Sequence, residues 1–129
     1  MLELARADVD EVSRQLPELE LLVLHGSRAR GDAHPRSDWD FAYRSTGSLD
    51  ELALRALLAD RLRTDELDLL NLDAAGGLVR YRAARDGKVV FERRAGEFER
   101  FKLAAIRFWL DAGHVIRAGY ADVLGSLDR

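Results

Sequence analysis

The segment Glu20-Leu21-Leu22-Val23-Leu24-His25 places apolar residues at both parities of an extended chain and stops abruptly at Gly26-Ser27. A strand of this kind has no solvent-facing side, so it must lie in the middle of a sheet covered on both faces. A second strand is expected over Asp38-Trp39-Asp40-Phe41-Ala42-Tyr43, which alternates strictly with period two. Glu66 to Leu72 reads as a third, largely apolar strand, and Lys88 to Glu92 as a short edge strand.

Helical spacing fills the intervals. Asp8 to Leu16 predicts a short helix that stops at Pro17, and a helical turn is expected to begin at or near Ser27. Ser48 with Glu51 three residues later has the form of a capping box, with Leu49, Leu52, Ala53, Ala56 and Leu57 following at helical spacing through about Leu62. Leu78 to Arg85 predicts another short helix, closed by Asp86-Gly87. From Glu97 onward, Phe98, Phe101, Ala105, Phe108, Ala112 and Val115 share one stripe, and Gly113 and Gly119 can divide that helix in two. Alternating strands and helices imply an α/β (α+β) architecture, a small mixed β-sheet flanked by helices. At 129 residues one domain is expected over residues 1–129, with 97–127 a C-terminal helical segment. Part of that segment's apolar face is left over for self-association or for a partner.

Composition narrows the function classes. There is no cysteine, which excludes disulfide frameworks, thiolate-held zinc and thiol nucleophiles. A net charge of −3 has the wrong sign for binding a nucleic-acid duplex by bulk charge. No apolar run approaches the length of a membrane span and the first ten residues do not resemble a signal peptide, so a cytoplasmic protein is expected.

The chemistry concentrates between Gly26 and Asp40. Amides at a helix start, the Ser27 hydroxyl and a glycine that does not obstruct approach suit phosphate oxygens. A Walker loop is excluded, because Gly26-x4-Gly31 continues with Asp32 where lysine is required. Strand alternation puts Asp38 and Asp40 on one face, about 6–7 Å apart, with Trp39, Phe41 and Tyr43 on the other. Two such carboxylates repel unless a cation lies between them, and magnesium takes one or two carboxylates while water and substrate phosphate fill its remaining positions.

A third acid is offered by Asp68, flanked by Leu67 and Leu69 in an otherwise apolar run; Glu66 is its rival, and Asp73 falls past the strand end. Asp38 and Asp40 would then hold one or two ions on a triphosphate. Asp68 would join the second ion and help to activate an attacking hydroxyl, the two ions lying about 4 Å apart. Arg28 is the candidate for a triphosphate oxygen, whereas Arg30 is expected to pair with Asp32 or another surface acid. His25 reads as a structural histidine and His34 as a solvated loop residue; His114 has no assigned role.

Gly26-Ser27, a ten-residue gap and Asp38-Trp39-Asp40 resemble the Gly-Ser-x10-Asp-x-Asp signature of the polymerase-beta-type nucleotidyltransferases. The wording Gly26-Ser27-Arg28-Ala29-Arg30-Gly31-Asp32 with Ser37-Asp38-x-Asp40 is similar to the minimal nucleotidyltransferases of the MntA type, antitoxins paired with HEPN ribonuclease toxins. Leu67 to Leu72 resembles that family's third-carboxylate strand, and Arg85 to Glu92 the strand that follows. Trp39 stands where the family usually has a smaller aliphatic residue, and Asn71 where a second acid is common.

The resemblance implies catalytic and metal-binding roles for Asp38, Asp40 and Asp68, and nucleotide binding by Gly26, Ser27 and Arg28. It also implies magnesium, ATP as substrate, and transfer of AMP to a hydroxyl, a tyrosine, of a HEPN-type toxin. Two alternatives stand beside it: a non-catalytic module that neutralises its partner by occlusion, and nucleotidyl transfer to a small molecule.

Overall fold

The structure, a computed structural model, describes residues 4–111. Its four strands are β1 (Leu19–His25), β2 (Trp39–Ser45), β3 (Leu67–Asn71) and β4 (Lys88–Glu92), in the order β3-β2-β1-β4. β1 is inner, as its two apolar faces demand, and β4 is an edge. The sheet is mixed: β1 runs antiparallel to β2 and to β4, while β2 and β3 are parallel. A parallel pair needs a crossover, and α3 (Glu51–Leu62) supplies it.

Helices cover both faces. On one side, Val12 and Leu16, from and just after α1 (Arg6–Gln15), join Leu54 and Leu58 of α3 in packing on Leu22, Leu24, Trp39, Phe41 and Tyr43. On the other, Ala83 and Ala84 of α4 (Gly77–Asp86) and Phe101 and Ala105 of a helix over 97–111, α5, pack on Leu21, Val23 and Ala42. The expected stripe on α5 is therefore buried at Phe101 and Ala105, whereas Phe108 is 60% exposed at the edge of Gly77. Ala112, Gly113, His114, Val115 and Gly119 lie outside the described residues. Among the described residues no helix is long and apolar enough to cross a membrane.

The start of α3 differs from the expected capping box at Ser48. Asp50 is the N-cap, its carboxylate accepting from the amides of Leu52 at 3.1 Å and Ala53 at 3.3 Å. The carboxylate satisfies two orphan donors and favours the positive end of the helix dipole, so it outcompetes the serine two residues earlier. Asp50→Ala is expected to cost about 1 kcal/mol in urea unfolding. Ser48→Ala should leave the midpoint unchanged.

Candidate active site

β1 ends at His25, and the chain leaves it through Gly26, whose φ of 74° and ψ of −160° fall in a region essentially reserved for glycine. This turn opens α2 (Ser27–Arg30), a single turn of helix whose C-cap is Gly31 in the left-handed conformation. Gly26 has a second constraint: a Cβ built there would run into the Asp40 carboxylate. The phosphate-type turn and the second aspartate of the Asp-x-Asp pair are thus in direct contact.

Sheet register assembles the rest. Asp40 is paired with Asp68 across the parallel β2/β3 ladder and with His25 across the antiparallel β1/β2 ladder. Laterally paired residues point to the same face, so Asp68, Asp40 and His25 form one row at the end of the sheet, on the side covered by α4. Asp38 lies just ahead of β2, one alternation before Asp40. Among the described residues, the side chains of Asp38, Asp40 and Asp68 make no ion pair and accept no hydrogen bond.

That lack of compensation is visible in the acidity of Asp40. Burial pushes its carboxyl above the usual aspartate range, and the charges of Asp68 and Asp38 push in the same direction, against the pull of His25. Burial also holds His25 below its usual range, outweighing its attraction to Asp40, so the imidazole is neutral at pH 7 and leaves the acids unneutralised. Position beside Asp40 was not assigned to His25 from the sequence. That position depends on the β1/β2 register, which residues 26–38 between the two strands do not reveal in the sequence.

Asp68 is exposed rather than set in a buried run, because β3 is an edge strand whose end is uncovered. Glu66 precedes β3, and its carbonyl accepts from the Trp39 amide at 3.0 Å. Asp73 lies beyond the strand and pairs with Arg44 at 3.1 Å. Arg30 meets Asp32 at 3.4 Å and Asp86 at 3.8 Å, as expected of a residue that pairs with surface acids. His34 accepts the Arg36 amide on Nδ1 at 3.2 Å. Arg28 donates to backbone carbonyls of the loop that carries Asp38.

Among the described residues no three acidic or imidazole groups converge closely enough to cage a metal alone. The donor set nevertheless suits magnesium. The carboxylates are hard oxygen donors with no cationic side chain paired to them among the described residues, and this ion commonly takes only one or two of them, completing its shell with water and substrate phosphate.

A glycine-serine turn against the second aspartate of an Asp-x-Asp pair at the end of a mixed sheet, with a third carboxylate on the parallel neighbour, is the arrangement expected of a nucleotidyltransferase. The family model described as Polymerase beta, Nucleotidyltransferase matches residues 8–95, and the chain belongs to that family. It is 33% identical to the protein adenylyltransferase MntA of Aphanizomenon flos-aquae, over 74% of this chain and 75% of the relative. A crystal structure of a toxin-antitoxin with AMP-PNP superposes with a TM-score of 0.74 at 25% identity, covering 96% of this chain and 99% of the other. A mutant of the toxin-antitoxin MntA-HpeT matches at 0.71 and 26%, covering 94% and 98%.

Proposed function

We propose that this chain is a cytoplasmic antitoxin that transfers AMP from ATP, with magnesium, to a tyrosine hydroxyl of a HEPN-type ribonuclease toxin. The observation that carries the reading is its 33% identity to a protein adenylyltransferase across three quarters of both chains. The presence of Gly26-Ser27, Asp38, Asp40 and Asp68 in one constellation supports it, as does the likeness to a toxin-antitoxin structure holding an ATP analogue.

Each residue has a task. Gly26 lets the backbone approach the triphosphate, and Ser27 offers its amide and hydroxyl to phosphate oxygens. Asp38, Asp40 and Asp68 would hold the magnesium, which supplies charge neutralisation at the triphosphate. Asp68, exposed and on an edge strand, would meet an incoming protein and take the proton from the acceptor hydroxyl. The hydroxyl oxygen forms a bond to the α-phosphorus, the bond from that phosphorus to the α,β-bridging oxygen breaks, and pyrophosphate leaves. Phosphate charge added beside an RNA-cleaving centre would oppose binding of an RNA backbone, which accounts for neutralisation.

Residues 1–129 act as one domain, and the partner protein brings the acceptor. The test is to incubate the chain with magnesium, ATP and its toxin partner, and to map modified peptides by mass spectrometry. AMP on a tyrosine near the ribonuclease centre, with loss of RNA cleavage, is the expected result. Neutralisation without any modification would establish occlusion instead.

A further inference from the structure

Arg28 follows Ser27 in the phosphate-type turn, where a cation would serve as a triphosphate ligand. The structure engages its guanidinium elsewhere. Nε and Nη2 donate to the Ser37 carbonyl at 3.1 and 2.8 Å, and Nη2 also reaches the Pro35 carbonyl at 3.5 Å. Cζ stands 4.2 Å from the centroid of the Trp39 ring. Ser37 and Trp39 are the two chain neighbours of Asp38.

Both neighbours are themselves anchored. The Ser37 amide donates to the His34 carbonyl at 2.9 Å, and its hydroxyl accepts from the His34 amide at 2.9 Å. Trp39 is 6% exposed, stacks on Phe41 at 6.2 Å with an interplanar angle of 7°, and donates its amide to the Glu66 carbonyl at 3.0 Å. Asp38 has no side-chain partner among the described residues, so its position is set by the groups on either side of it.

We propose that Arg28 is a positioning residue: it ties the Gly26-Ser27 turn to the peptide units flanking Asp38, so that turn and carboxylate are held as one rigid unit. The inference rests on Asp38 belonging to the active site. It also explains Trp39, whose wide ring gives the guanidinium a face to stack on that a smaller aliphatic side chain lacks. Only arginine combines a planar fork, with two N–H groups aimed at one carbonyl, and a stacking surface; lysine keeps the charge and loses the geometry.

The experiment compares wild type with Arg28→Lys, Arg28→Ala and Trp39→Phe. Amide hydrogen exchange across residues 32–40 is measured on the protein alone, without nucleotide or metal, and kcat and KM for ATP are measured with toxin as acceptor. For Arg28→Lys and Arg28→Ala we expect exchange at least about tenfold faster, the effect of losing about 1.4 kcal/mol of anchoring. We expect kcat about 10²-fold lower, as for a displacement of about 1 Å, while KM for ATP changes by less than about twofold. Trp39→Phe keeps a ring face and should stay near wild type in both.

Unchanged exchange, or a raised KM with kcat retained in Arg28→Lys, would overturn the proposal and make Arg28 a phosphate ligand. Faster exchange with unaltered kcat would also overturn it. If wild type shows no transfer, the proposed activity fails by itself, and exchange alone then decides whether the clamp exists.

Discussion

Asp38→Asn combined with Asp40→Asn is expected to lower nucleotidyl transfer by at least about 10³-fold, since both substitutions remove anionic donors from a site whose charge stabilisation contributes several kcal/mol. The side chains keep their shape, so the sheet end should remain intact. The double variant should in fact be more stable than wild type at pH 7. Asp40 has its carboxyl raised by burial first and by the charges of Asp68 and Asp38 second. A raised acid contributes its stability below the ordinary aspartate range and loses it as pH climbs through the raised value. Wild type at neutral pH therefore carries a charging penalty that asparagine does not.

Thermal melts should show the variant ahead at pH 7, with the gap closing as the pH falls below the ordinary aspartate range. Adding magnesium should raise the wild-type Tm at pH 7 and leave the variant's unchanged. Full transfer by the double variant would remove these aspartates from the mechanism.

Gly26→Ala should also be damaging, though less so and for a different reason. At φ 74° and ψ −160° an L side chain is strained by about 1–3 kcal/mol, and its Cβ collides with the Asp40 carboxylate. Asp40 must move, and a shift of about 1 Å in a positioned group costs about 10²-fold in rate. Gly31→Ala separates the two effects. Gly31 also has positive φ, at 87°, yet a Cβ there meets nothing within 4 Å. It should lose stability by about 1–2 kcal/mol while retaining transfer within a few-fold. Equal loss of activity in both variants would mean that backbone strain, not contact with Asp40, governs the turn.

The elements most legible in the sequence were those whose information is local. Leu21 to Leu24 could only be an inner strand, and the period-two run from Asp38 to Tyr43 assigned Trp39, Phe41 and Tyr43 to the core face, where all three are buried. The Gly26-Ser27 turn and its spacing to Asp38 and Asp40 were equally local, and the structure shows why the glycine is required. Features set by long-range register were not legible in the same way. His25 comes beside Asp40 only once β1 and β2 pair, and Asp68 is exposed only because β3 occupies an edge. A competition between nearby polar groups decided the start of α3 in favour of Asp50 over Ser48. The contacts of Arg28 depend on the path of the loop from Asp32 to Ser37, which has no periodicity to read.

Adenylyl transfer makes a phosphorus–oxygen bond at the α-phosphate of ATP and releases pyrophosphate. It is tested most directly by running two parallel reactions on the toxin partner, one with ATP labelled at the α-phosphate and one with ATP labelled at the γ-phosphate. Label is expected on the toxin only from the α position, with γ label recovered as pyrophosphate. Label arriving from the γ position, or neutralised toxin carrying no label from either, would contradict it.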